Sequence, residues 1–485
     1  MKIQRRVWLP VVVAALALAG CSSSKHSSAP ASSSPAAGAS STAPSSAPAP
    51  ASAASSSPAT APASTPAPAS SAAAPSSTAS GNLTVWVDAV RLPDAKAYQA
   101  AHPNVKMTIV TFDGDGNGAT SLQTKIQLWN KAGSGWPDVI FSEQVNDPVW
   151  MAQDPFNFAA DMGAALGKDV TSQWPATSLA QCTVGGVLVC IQDNLAPVVL
   201  WVNQKLMTQF GYTVPKTWQD WQALGVKVAK EHPGYIIGNS GDSYGAWTYL
   251  WGNSCPLESN VSGNKVTINV ADVHCTEMAT LLDPLIKNGT VPPLTIFSPD
   301  FAKKYGGATD KVLLMPGPAW YAQDVFGGTL HVPAGEITAT TPLQWNSDPI
   351  TTGQVGGGPW IISKHSSNPS AAADFVLWST TVYNPDPTTK DARAGLPGNG
   401  PLQASWLAGL AKNPYFAADP TPALKAAAGQ IWQGWQLVTY PDQPVWSNTV
   451  VTGLVAGKSL SSLLPAYGKG LAQAAKAAGY TVATS

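Results

Sequence analysis

Charge is what this sequence has least of. Only 11% of its 485 residues are Asp, Glu, Lys or Arg, and 27 basic residues nearly cancel 28 acidic ones, leaving a formal net charge of −1. No stripe of Lys or Arg runs through the chain, which excludes nucleic acid as a main partner and gives an anionic lipid surface nothing to attract. Long apolar runs are missing as well. The run Val7–Ala19 holds 13 residues, short of the roughly 20 that span a bilayer. Cysteine is scarce, at five residues. With no Cys-x-x-Cys and no paired His spacing, a zinc site is disfavoured, and His274 beside Cys275 is weak evidence for one. No cofactor is expected.

What the chain does have is unevenly spread. Lys2, Arg5 and Arg6 precede the apolar run, as in a secretory signal, and the run ends Leu18-Ala19-Gly20-Cys21. That ending resembles the bacterial lipobox, in which the Cys is lipidated and the chain is cut just before it. Residues 1–20 therefore read as a lipoprotein signal peptide, and Cys21 as the lipid-bearing residue that ties the protein to a membrane. Residues 22–80 are almost entirely Ser, Ala, Pro and Thr. They cannot bury enough apolar surface to offset the entropy of ordering and read as a disordered tether, spanning about 40–45 Å as a flexible coil. The folded part is sought in 81–485, long enough for a large core and two lobes.

Four cysteines remain there: Cys182, Cys190, Cys255 and Cys275. An even number in an exported chain favours disulfides, with three pairings possible. The local pairs Cys182–Cys190 and Cys255–Cys275 are preferred, each worth on the order of 2–4 kcal/mol.

Short β-rich runs alternate with helical patterns: Leu83–Val87, then Pro93–Ala101; Val105–Phe112, then Ser121–Lys131; then Val139–Phe141. This is the pattern of βαβ units and a parallel sheet. Ligands of such sheets sit at the carboxyl ends of the strands, which places Asp88, the loop Asp113–Gly118, Glu143 and Gln144 on one rim. Thr217-Trp218-Gln219-Asp220 opens a helix as a capping box, with Trp221, Leu224 and Val228 inside. Asn368-Pro369 opens another, carrying Phe375, Val376 and Trp378.

Several segments together carry a resemblance. Leu200-Trp201-Val202-Asn203-Gln204-Lys205-Leu206, followed by Gly211 and Val214-Pro215-Lys216-Thr217-Trp218, is similar to a hallmark of the family 1 extracellular solute-binding proteins of ABC transporters. Trp136-Pro137-Asp138-Val139, Met315-Pro316-Gly317-Pro318-Ala319-Trp320, and Gly357-Gly358 through Lys364, Asn368-Pro369 and Ala372 agree in order. The resemblance covers about 81–470. Gln204, Lys205 and the extra Ala319 depart from the usual pattern; the last affects where Trp320 falls. The resemblance implies an α/β, two-lobed, periplasmic-binding-protein-like (type II) fold that closes on ligand about a hinge between its lobes. Lobe one would hold 81–194 plus 345–385, and lobe two 198–335 plus 390–485. The chain would cross near Asp193–Val198 and Leu343–Gly358, where Gly356-Gly357-Gly358 suits a hinge.

Sugars present hydroxyls and flat apolar ring faces, so a sugar site needs polar side chains and stacking aromatics. The chain has 19 Trp. Trp320 leads, because the resemblance puts an aromatic of its motif in the cleft; Trp247 and Trp251 follow, with the inner face of a helix as the alternative. Asp88, Asp113, Glu143 and Gln144 are favoured at strand ends, Asp193 and Asn194 at the hinge entry, and Asn399 in the second lobe. Caps and turns are the competing roles for these Asp and Asn residues.

Two motifs point elsewhere. Asp113–Gly118 copies the start of an EF-hand loop, but Thr124 stands at position twelve, where calcium requires a bidentate Glu. Gly241-Asp242-Ser243-Tyr244-Gly245 fits the nucleophile elbow of serine hydrolases, with His274, His331 and His365 as available bases. No His-Gly-Gly oxyanion pattern precedes it. No carboxylate pair is singled out for glycoside hydrolysis, and the adjacent Tyr ligands of iron-type binding proteins are absent. The reading is a monomeric, lipid-anchored sugar receptor that delivers to ABC permease subunits and is not an enzyme. The alternatives are a binding protein for a non-sugar solute such as a polyamine, for which a mostly neutral cleft is unsuited, and a secreted hydrolase using Ser243.

Overall fold

A computed structural model of the chain describes residues 79–484 apart from 113–120, 263–264, 389–394, 436–437, 439 and 441. The signal peptide, Cys21, all but the end of the tether, and the Asp113 loop with its calcium reading lie outside the described residues.

Alternation along the strands sorts the first lobe. In β1 (Gly81–Val87), Leu83, Val85 and Val87 are fully buried in one core, while Trp86 packs into another on the opposite face. Each such aliphatic side chain contributes about 1.5–3 kcal/mol of transfer free energy. β2 (Val105–Thr111) and β3 (Val139–Phe141) flank β1, both parallel to it. In β3, Val139 and Phe141 join the first core and Ile140 the second, as a period of two requires. The helix Leu92–Ala101 seals the first core with Ala95 and Tyr98, and Ser121–Ala132 seals the second with Leu122 and Ile126.

The parallel arrangement does not extend beyond these three strands. The chain leaves through β4 (Ile191–Gln192), forms β5 (Val198–Asn203), β6 (Leu314–Pro318) and β7 (Ile337–Thr340) in the second lobe, and returns as β8 (Pro359–Ile362). Because β8 re-enters from the other lobe, it runs antiparallel to both neighbours and completes a sheet ordered β2–β1–β3–β8–β4. The second lobe's sheet, β6–β5–β7, is antiparallel throughout. β5 is buried along its whole length: Val198, Leu200 and Val202 face one core, Val199 and Trp201 another.

Helix starts follow their caps. Thr217 Oγ1 accepts from the Asp220 N–H at 3.0 Å to open Trp218–Glu231, whose Trp221, Leu224 and Val228 are buried. Asn368 caps Pro369–Leu377 by accepting from the Ala371 N–H. The disulfide Cys182–Cys190 closes a hairpin turned by Gly185 and Gly186, both at positive φ, and Cys255–Cys275 lies inside the second-lobe core.

Three segments run side by side between the lobes. Val355 N–H bonds to Ala196 O, Asp193 N–H to Gly358 O, and Gly398 N–H to Asp193 O, while Asn194–Leu195 pairs with Leu396–Pro397. Leu343, Trp345 and Val355 pack into the second lobe's core, so the return passage falls at 356–358. The two lobes pack as parts of one unit, Ala72–Ser485. Among the described residues no helix is long and apolar enough to cross a membrane.

Candidate functional site

A cavity of about 360 Å³ opens at the carboxyl ends of β1 and β3, against the passage between the lobes. β1 delivers Asp88 and, one turn on, Arg91; β3 delivers Phe141 and Glu143. The passage supplies Asn194 and Gly356–Gly358, and the second lobe closes the wall with Tyr244, Phe297, Trp320 and Asp324. Glycine is required at 358, where a Cβ would sit 2.2 Å from Phe141 Cζ and 2.3 Å from Ser142 O.

Arg91 organises the first-lobe wall. Its Nη1 lies 3.1 Å from Asp88 Oδ2, and its Nε and Nη2 each donate to Asp193 Oδ2 at 3.4 Å. The guanidinium sits 4.2 Å from the centre of the Phe141 ring. Asp88 also accepts from the Arg91 backbone N–H at 2.6 Å, and Asp193 from the Trp360 indole at 3.1 Å. Burial works against the guanidinium charge, but Asp88 and Asp193 more than offset it and raise the pKa above its ordinary value. Asp324 is pushed up to about 6, first by burial; Arg91 opposes that and Asp88 adds to it.

The second-lobe wall is aromatic. Trp320 is part-buried, stacks on Phe297 with ring centres 6.3 Å apart, and donates its indole N–H to Val355 O at 2.9 Å. Phe297 is 48% exposed, an apolar face held at the cavity mouth. Tyr244 accepts from Gln144 Nε2 at 3.0 Å, and Gln144 Oε1 in turn accepts from Gln443 Nε2 at 2.9 Å. Asn146 adds a donor to Asp442 at 3.5 Å, so polar groups near the cavity join the two lobes.

Of the residues anticipated from sequence, Asp88, Glu143, Asn194 and Trp320 line the cavity. Asp193 lies behind the wall, holding Arg91 and Trp360, and Gln144 bridges the lobes. Three expectations are corrected. Trp247 and Trp251 are 1% and 2% exposed and belong to the second-lobe core. Their indole N–H groups are taken by Asp442 and by Trp432 O, and Trp251 stacks on Trp435. The helix-face role is the observed one. Asn399 caps Gly400–Leu410 by accepting from the Leu402 N–H at 3.0 Å. The expected neutrality of the cleft also fails, because Asp88, Glu143 and Asp324 all face one cavity.

Arg91, Phe141, Phe297 and Asp324 were not anticipated. Asp88-x-x-Arg91, a charged pair just past a strand end, and Asp324 four residues after Trp320 are signals the spacing holds. Phe297 leaves none.

The Gly241–Gly245 stretch is a buried turn. The Asp242 carboxylate accepts from Asn239, Thr295 and the Ile296 N–H. Of the bases available in sequence, the His274 ring faces Asp272, His365 stacks on Trp136, and His331 sits against Gly327 O.

The sequence profile of the bacterial extracellular solute-binding proteins matches residues 80–382. The chain belongs to this family. No curated protein sequence matches it, whereas many solved structures do. A binding protein of an ABC transporter from Bifidobacterium animalis subsp. lactis, in complex with β-1,6-galactobiose, is 19% identical with a TM-score of 0.70, covering 83% of this chain and 100% of that one. The galacto-N-biose/lacto-N-biose I-binding protein from Bifidobacterium longum is 15% identical with a TM-score of 0.68, covering 83% and 99%. The GacH receptor of Streptomyces glaucescens, in complex with acarbose, is 18% identical with a TM-score of 0.63, covering 83% and 100%. At these identities the likeness shows the fold, and it places the cavity where two-lobed solute-binding proteins have their interlobe cleft.

Proposed function

We propose that this solute-binding protein captures a carbohydrate between its lobes and delivers it to the permease of an ABC importer. The observation that carries the reading is the cavity wall itself. Trp320, Phe297 and Tyr244 offer ring faces on one side, and Asp88, Glu143 and Asn194 offer hydrogen-bonding groups on the other. This is the combination that apolar sugar faces and sugar hydroxyls need. The three similar structures named above are of proteins complexed with lacto-N-biose, β-1,6-galactobiose and acarbose.

The mechanism is capture without catalysis. Lobe one comprises 81–194 plus 356–385, and lobe two 198–355 plus 396–484, turning about the three segments at 193–198, 353–358 and 396–398. Ligand touching both walls favours the closed form by its differential affinity, and the closed form docks on the permease. A lipid on Cys21 and the tether 22–80 hold the receptor at the outer face of the cytoplasmic membrane. Its permease contacts are made as a monomer.

Tryptophan fluorescence of the full-length protein, titrated with mono-, di- and trisaccharides, tests the reading. A saturable change with one sugar class is expected; no response from folded protein would refute it. Ser243→Ala is expected to leave saccharide binding unchanged and to abolish no turnover. Hydrolysis lost in that variant would establish an enzyme instead.

A further inference from the structure

Building on the carbohydrate reading, we infer that the ligand is a saccharide bearing a protonated amine, whose ammonium is held among Asp88, Glu143 and Asp324. The charge balance of the wall points there. These three carboxylates line one cavity of about 360 Å³, and Arg91 is the one cation lining it among the described residues. Arg91 is already engaged: Asp88 holds one side of its guanidinium, Asp193 the other, and Phe141 its face. Asp324, from the opposite lobe, senses both Arg91 and Asp88.

A neutral sugar answers this wall poorly. Its hydroxyls donate hydrogen bonds to carboxylates but bring no charge, so closure would strip water from an excess of negative charge without compensation. An ammonium brings three donors and a full positive charge, and charge-assisted bonds to carboxylate are roughly twice as strong as neutral ones. The aromatic side adds to this. Phe297, Trp320 and Tyr244 present ring faces that attract a cation and also stack on a sugar ring. A bare inorganic cation fits less well, since no three metal-binding side chains converge on one point among the described residues. The carboxylates are spread around the wall and meet a ligand at separate positions, while Asn194 can both donate and accept toward its hydroxyls.

The test is calorimetric titration of the full-length protein with matched sugars differing in one substituent. The series is glucose, glucosamine and N-acetylglucosamine, the corresponding galactose set, the β-1,4-linked dimers of each, and spermidine as a sugar-free cation. The amine is expected to bind at least about tenfold more tightly than its hydroxyl and acetylated counterparts. Glu143→Gln and Asp324→Asn, which keep the shape, should each remove most of that advantage while the melting temperature stays within a few degrees. Neutral or acetylated sugars binding as tightly as the amine would overturn the inference and leave the sugar receptor standing. Spermidine binding alone would overturn both, as would silence across the whole series. An amine preference that survives both substitutions would overturn the assignment of the carboxylates.

Discussion

Arg91 is where the cavity wall is most exposed to a single substitution. Replacing it with Met keeps an unbranched apolar stem over the Phe141 ring and removes the charge. Asp193, whose side chain is wholly buried, would be left with the Trp360 indole as its printed side-chain donor, and Asp88 with the residue's own backbone N–H. Breaking a buried ion pair by removing one partner costs about 3–5 kcal/mol, because a charge stays buried without compensation, and the lost contact with Phe141 adds up to about 1 kcal/mol. A loss of about 4 kcal/mol in the urea-unfolding free energy is therefore expected for Arg91→Met. Arg91→Met with Asp193→Asn removes the stranded charge together with its partner and should recover about 1–3 kcal/mol of it, a coupling readable from the double-mutant cycle. Equilibrium urea denaturation of the four proteins at pH 7 gives all the numbers. A single variant within 1 kcal/mol of the parent, or a double variant that loses the sum of the two single effects, would refute the view that Arg91 is the electrostatic keystone of this wall.

Three further outcomes are expected. Trp320→Ala should weaken saccharide binding by on the order of 1–3 kcal/mol, whereas Trp320→Phe keeps a stacking face, gives up the bond to Val355 O and should lose less than half of that; calorimetric Kd values decide, and equal affinities would take Trp320 out of the site. Asp242 is pushed up to about 6 by burial, against the bonds it accepts from Thr295, Asn239 and Ile296. Since the folded-state value lies above the ordinary carboxyl value, the parent protein loses stability as pH rises through 6, so Asp242→Asn should gain about 1 kcal/mol relative to it between pH 5 and pH 7. A pH-independent difference in unfolding free energy would contradict this. Replacing Cys255 and Cys275 with Ser opens a loop of sequence separation 20 and should cost about 3 kcal/mol, and the pair at separation 8 somewhat less, both measured by urea denaturation.

The frame of the molecule was legible because local physics decides it. A period-two apolar pattern put Leu83, Val85 and Val87 on one face, and Thr217 and Asn368 announced their helices through side chains that cap the next turn. Strand direction was less legible: β8 runs against its neighbours because it returns from the other lobe, and no local signal encodes that. The site divides the same way. Asp88 and Glu143 were found because residues just past the ends of parallel strands must face the rim. Trp247 and Trp251 could not be told from ligand-stacking residues, because a Trp that fills a core and one that lines a cleft carry the same sequence signature. Asn399 shows the same degeneracy between cap and ligand contact. Asp324 and Phe297 come from a lobe whose approach to the first depends on the whole fold, so their meeting with Arg91 is visible only in three dimensions.

That meeting also bears on how the receptor would close. Asp88 and Glu143 belong to the first lobe and Asp324 to the second, so approach of the lobes concentrates like charge while it excludes water. Repulsion of this kind opposes closure; the bonds of Gln144 to Tyr244 and Gln443 and of Asn146 to Asp442 favour it. A ligand shifts such an equilibrium only by its differential affinity for the two states. A neutral sugar stacking on Trp320 alone contacts one lobe and shifts it little. An ammonium bridging carboxylates from both lobes relieves the repulsion only in the closed form, so its entire electrostatic contribution becomes differential. On this argument charge selectivity and closure are one property: Asp324→Asn should lower the preference for the amine and let the lobes close more readily without ligand, a pairing that small-angle scattering of the unliganded variant and parent would expose as a smaller radius of gyration in the variant.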